Sequence, residues 1–178
     1  DQQIREMQSE RSELERELYL QALHKTASIS LIQYEVSNFA KADFQSRSNL
    51  KVWDGQPYLG LGCGAHSFDG VNRWGNVRSM RKYMESVGRE EPPRDFMETP
   101  TRLQQASERL MLSLRRPEGL NILSWQEEFQ IGLSLEQKNQ MEKLKDQDLV
   151  SWESPILKLT TEGMLLADAI TAELMPEA

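Results

Sequence analysis

The 178 residues include one cysteine, Cys63, and two histidines, His24 and His66. One cysteine excludes an internal disulfide. It is also too few for a zinc or iron–sulfur site built by this chain alone, and such scarcity fits a reducing compartment. Long apolar runs are missing too. No stretch approaches the ~20 residues that a membrane span needs, and mean hydropathy is -0.63. The opening residues, DQQIREMQSE, carry neither the blocks of a secretion signal nor an initiator methionine. A piece of a longer, cytoplasmic protein is therefore expected. A cationic excess is absent as well: the net charge is -7, and residues 119–178 hold 4 Lys and Arg against 11 Asp and Glu. That balance argues against a nucleic-acid surface, because phosphate binding is driven by cationic side chains.

What is present divides into helical and strand-like stretches. Residues 1–25 are rich in good helix formers. Ile4, Met7, Leu14 and Leu18 fall at helical spacing, interrupted by Arg11, which predicts an amphipathic helix lying on a sheet. Ser28–Ser37, with Ile29, Leu31, Ile32, Tyr34 and Val36, reads as a buried strand of an α/β fold whose following loop carries function. Pro57–Gly62 reads as a second strand. Its alternating glycines imply close approach by a ligand or a neighbouring strand. Val77, Met80, Tyr83 and Met84 predict a helix, and residues 90–95, with Pro92 and Pro93, a linker.

Beyond the linker the pattern is mainly helical. Thr101 and Gln104 form a capping box for a helix that stops before Pro117. Ser124 with Glu127, and Ser134 with Gln137, predict two more helix starts. Leu149–Trp152 and Ile156–Leu159 read as a hairpin around Pro155, and Thr160 or Thr161 caps a last helix. Three helices, a hairpin and a helix suggest a winged-helix-like unit. The expected division is 1–90 and 91–178.

The chemistry concentrates between Tyr34 and Trp74. His66 follows Gly60, Gly62 and Gly64, where it can hydrogen-bond a cofactor, ligate a metal or move a proton; a loop histidine bonded to local backbone is the plainer alternative. Arg47, Asn49, Trp53, Arg73 and Trp74 would suit a planar, carboxylated ligand, since arginine takes carboxylates bidentately and tryptophan offers a flat face. The competing reading is a loop tied down by its own side chains. Glu35 reads as a buried acid or, more simply, a salt-bridge partner. Cys63 reads as a small buried residue and His24 as inert.

YEVSNFA (34–40), YLGLGCGAHS (58–67), LMLSLRRPEGL (110–120) and LTTEGMLLAD (159–168) occur in this order. In these blocks the chain resembles radical SAM proteins related to oxygen-independent coproporphyrinogen III oxidase, and their haem-chaperone branch most. The resemblance implies the C-terminal end of a partial TIM-like barrel followed by a helical domain. In the full-length family protein that barrel holds a [4Fe-4S] cluster and S-adenosylmethionine. It implies cofactor contacts at Asn38, Phe39, Ala40, Gly62, Gly64 and His66, and substrate contacts at Arg47, Asn49 and Trp53. The family's Cys-x-x-x-Cys-x-x-Cys motif does not occur here, so the chain alone is expected to be inactive, with no metal ligands and no assignable catalytic residue. The chaperone branch carries His-Asn-x-x-Tyr-Trp. Here the stretch is Ser48-Asn49-Leu50-Lys51-Val52-Trp53. Ser48 and Val52 depart from the motif, which leaves His66 as the nearest haem ligand. The partners implied are haem or a porphyrin, and a haem-accepting protein. Two alternatives stand beside haem transfer: oxidative decarboxylation of coproporphyrinogen III, and a non-catalytic docking module.

Overall fold

A computed structural model describes residues 2–176, with side chains from residue 13 onward. The chain opens on a single helix, α1 (Gln2–Ser28). The expected apolar positions Ile4 and Met7, and Arg11 between them, lie outside the described side chains. Leu14 and Leu18 are exposed rather than packed on a sheet.

Ser28–Ser37 is not one buried strand. Strand β1 (Ile32–Glu35) turns at once and pairs antiparallel with β2 (Asn38–Ala40), with a bulge beside Glu35. The turn is local chemistry: Glu35 Oε1 accepts from the Ser37 amide at 2.8 Å and from the Asn38 side chain. Only the end of β1 is buried, at Tyr34 and Glu35, while Ile29 and Ile32 face outward.

Helix α2 (Arg47–Trp53) follows, capped by Ser46, and none of its residues is buried. The expected strand Pro57–Gly62 does not form. Tyr58 makes one bridge to Phe68, and Leu59 and Leu61 are exposed. The reason lies in the glycines: Gly62 adopts φ +103° and bends the chain away from an extended path. A sheet missed by pattern reading stands beside it. It comprises β3 (His66–Phe68), β4 (Arg73–Asn76) and β5 (Arg94–Glu98), in the order β3-β4-β5 and antiparallel throughout. The β3–β4 turn is closed by Asp69, whose Oδ1 accepts from the Val71 and Asn72 amides. Helix α3 (Met80–Gly88) is inserted between β4 and β5. Arg94 and Asp95, read from sequence as the end of a linker over 90–95, thus begin a strand that runs on to Glu98.

The core lies in the second half. Helix α4 (Arg102–Leu114) begins at the Thr101–Gln104 capping box as expected. Strand β6 (Leu120–Asn121) leads into α5 (Ile122–Phe129), whose cap is Asn121 rather than Ser124: Asn121 Oδ1 accepts from the Ser124 amide. Helix α6 (Leu135–Asp146) starts at the Ser134–Gln137 box. Strands β7 (Val150–Glu153) and β8 (Ile156–Leu159) form the expected hairpin, and β6 adds to it in the order β6-β8-β7. Thr160 caps α7 (Thr161–Leu165), and the chain breaks at Leu166 before α8 (Ala167–Leu174). Ala106, Leu114, Trp125, Met141, Leu157 and Ile170 centre one apolar cluster. The Trp125 indole donates to the Ala106 carbonyl at 2.9 Å, so this bulky group is buried without leaving its N–H unpaired.

Candidate functional site

Two side-chain clusters meet along α4. The first surrounds the β1–β2 turn and α2. Asn49 Nδ2 lies 3.4 Å from the Tyr34 hydroxyl. The Trp53 ring is covered by the Arg115 guanidinium, 5.3 Å from its centroid. Arg115 also reaches Asp168 at 2.8 Å. Arg109 donates to the Asp54 carbonyl, and Arg116 to the Asp54 carboxylate. Three arginines from α4 and its C-terminal end thus hold the end of α2. Arg47 is exposed and is not drawn into this group.

Beside Asn38, Glu35 is fully buried, but only one of its oxygens is used. Oε1 takes both bonds of the turn, and Oε2 is buried with no partner. Glu35 makes no salt bridge among the described residues. A buried acceptor left open is costly unless a donor arrives. Phe39 is half-buried and Ala40 buried.

The second cluster contains His66. The exposed imidazole stands edge-on to Phe96, with ring centroids 5.5 Å apart. It lines a cavity of about 320 Å³ with Val52, Tyr58, Phe68, Arg73, Glu108 and Met111. β3 and β4 supply one wall, α4 another, and Val52 of α2 closes a third. Gly60 makes this geometry possible: a Cβ there would stand 2.1 Å from the His66 carbonyl oxygen. The close approach inferred from the glycines is therefore real at Gly60, and the approaching group is the chain itself. Gly62 and Gly64 answer a different demand, left-handed backbone, and both amides are already used: Gly62 N donates to the Tyr83 hydroxyl and Gly64 N to the Val77 carbonyl. The Asn76 side chain holds the Gly62 carbonyl at 3.0 Å. Cys63 is half-buried and free.

Arg73 was expected to await a carboxylate. Its Nη2 instead donates to Glu108 at 2.5 Å, and its Nη1 lies 3.7 Å from Glu98. The bond to Glu108 raises the Arg73 pKa above its ordinary value, against the opposing pull of burial. Trp74 is likewise covered, by Arg94 at 4.8 Å. The five residues proposed to share one planar ligand are thus split between two clusters and mostly engaged by the chain itself. Tyr58, Glu108 and Met111 were missed by sequence reading. The spacing of Glu108 and Met111 on one face of α4 was visible, but nothing in it said which strand that face meets.

No group of three or more His, Cys, Asp or Glu among the described residues is arranged to hold a metal ion. No described helix is long and apolar enough to cross a membrane.

No protein-family model matches the chain. Individual proteins do. It is 30% identical over 93% of its length to "Heme chaperone HemW" of Bacillus subtilis, covering 44% of that protein. It is 31% identical over 80% of its length to the protein of the same name from Mycobacterium tuberculosis H37Rv, covering 34%. It is 29% identical over 82% of its length to "Radical S-adenosyl methionine domain-containing protein 1, mitochondrial" of Danio rerio, covering 35%. Among solved structures it matches coproporphyrinogen III oxidase (HemN) from Escherichia coli, a radical SAM enzyme. The TM-score is 0.69 at 16% identity, over 88% of this chain and 39% of that one. The chain therefore spans about two fifths of the length of the relatives it matches. The resemblance to radical SAM proteins of the haem-chaperone branch holds along most of the sequence, and the likeness to the oxidase holds for the fold.

Proposed function

We propose that the chain is part of a radical SAM protein that handles haem, and that His66 is the residue through which this part meets the porphyrin. The similarity along 93% of the chain to a protein named for haem chaperoning carries the reading. The geometry around His66 supports it. An exposed imidazole is a ready axial ligand for iron, and the adjoining cavity offers aromatic and aliphatic walls at Phe68, Val52 and Met111. Haem is cargo in this reading, passed on to a haem-accepting protein in the cytoplasm. Coproporphyrinogen oxidation enters only through a fold likeness, and nothing around His66 favours it.

The donor set does not fit a [4Fe-4S] cluster of the three-cysteine type, since Cys63 is the sole thiol. For S-adenosylmethionine the fit is better. Asn38, Phe39 and Ala40 would hold it, with the buried, open Glu35 Oε2 beside them as an acceptor. When bound in a radical SAM protein, that cofactor supplies a 5′-deoxyadenosyl radical. Here Glu35 orients the Asn38 amide by accepting its N–H. Within the same reading the chain divides near Glu98 rather than at residue 90, because β5 is hydrogen-bonded to β4. The helices and three-stranded sheet beyond form a winged-helix-like unit, and the preceding residues contribute to a partial barrel.

Titration of ferric haem into the chain tests the reading. A Soret shift that saturates at one equivalent, and is lost in His66→Ala, is the expected result. No shift in either protein would overturn it.

A further inference from the structure

The cavity beside His66 has a wall whose charge is already settled. Arg73 projects from β4, opposite Glu98 in the β4–β5 register, and α4 brings Glu108 against the same guanidinium. Of the residues lining the cavity, Arg73 and Glu108 thus neutralise each other, and Glu98 engages the same guanidinium from outside the lining. The remaining surface is largely apolar, at Val52, Phe68, Met111 and Leu112. The volume, about 320 Å³, is at the lower end of small-ligand sites. It suits one edge of a tetrapyrrole and not the whole macrocycle.

An edge bearing a carboxylate would have to desolvate that group beside Glu108, with the lining guanidinium of Arg73 already paired. Burial of an unpaired charge is unfavourable, and like charges at short range add to the cost. An edge bearing only methyl and vinyl groups meets no such penalty and gains from apolar burial.

Resting on the haem reading, we infer that Glu108 is a specificity-determining residue: by occupying Arg73 it makes the His66 cavity accept the apolar edge of an iron porphyrin and reject an edge that carries carboxylates. Protohaem, whose two propionates share one edge, presents such an apolar edge. Coprohaem I, whose regular alternation of methyl and propionate puts a carboxylate beside every meso edge, does not. The chain therefore discriminates between porphyrins by the number and placement of their carboxylates.

The test is a pair of absorption titrations, ferric protohaem and ferric coprohaem I, on the wild-type chain, Glu108→Gln and Arg73→Gln, with circular dichroism as a check on folding. The wild type should bind protohaem at least about tenfold more tightly than coprohaem. Glu108→Gln frees the guanidinium, and the ratio should fall to about threefold or less. Arg73→Gln leaves both carboxylates unpaired, and the ratio should rise above that of the wild type. Equal binding of the two porphyrins by the wild type, or a ratio unchanged in Glu108→Gln, would overturn the inference while leaving the haem reading in place. Should Glu108→Gln not fold, the wild-type ratio and its rise in Arg73→Gln decide, and a ratio that does not rise overturns it. If the wild type binds neither porphyrin, the haem reading falls and the inference with it.

Discussion

Two carboxylates at the surface tie stability to pH. Asp69 is held below its ordinary 3.8, first by the Asn72 backbone N–H and then by that of Val71. Glu162 is held below its ordinary 4.5, first by its hydrogen bond from Arg16 and then by the charge of that arginine. A folded-state pKa below the unfolded one means that the contribution is fully present above the ordinary value. It is lost as pH falls through the lowered folded value. Stability should therefore decline below about pH 4.5, and Asp69→Asn should flatten that decline while keeping the turn, because the Asn oxygen still accepts from Val71 and Asn72. Urea denaturation at a series of pH values checks this; an acid limb identical to that of the wild type would contradict it. At the same scale, His66 and the glycines before it were legible as unusual. The identity of their neighbours was not, because Glu108 and Met111 lie more than forty residues away and reach His66 only through the packing of α4 against β3 and β4.

Helix caps were the most readable feature of the elements. The Thr101–Gln104 and Ser134–Gln137 boxes stand where the spacing puts them, since a cap is a contact between residues three apart and needs no tertiary information. Strand pairing was the least readable. Asp69-Gly70 is a hairpin signal, and the β3–β4 turn forms on it, yet the short strands beside it carry too little alternation to declare themselves. Near the C-terminus, Gly163 sits in the first turn of α7, and an alanine in a helix interior is ordinarily worth up to ~1 kcal/mol over glycine. Here a Cβ would stand 1.9 Å from the Leu149 carbonyl oxygen. Gly163→Ala should therefore destabilise the fold, and a raised melting temperature would contradict the placement of α7 against Leu149. Thr160→Ala, which removes the cap on the Gly163 amide, should cost about 1 kcal/mol by urea denaturation.

For the molecule as a whole, burial is lopsided. The apolar cluster runs from Ala106 to Leu174, and Leu114 at its centre has no exposed surface. Leu114→Ala should cost roughly 2–5 kcal/mol. Before residue 99, Tyr34 and Ala40 are the buried apolar residues among those described, and Ile29, Ile32, Phe44, Leu59 and Leu61 lie open. The helical half was accordingly legible from its periodicity, which reports burial directly. The first half was not, because its short strands follow turns and glycines more than a hydrophobic pattern. Residues 99–178 should fold cooperatively when produced alone; a featureless thermal melt would contradict that division.

The claim on which the account turns is that iron meets His66. The chain has one other histidine, His24, exposed on α1, so the two imidazoles give two sets of NMR signals that can be told apart by mutation. On addition of one equivalent of ferric haem, the account predicts that the His66 signals broaden beyond detection while those of His24 persist. Loss of the His24 signals with His66 unaffected, or no change in either, would contradict it.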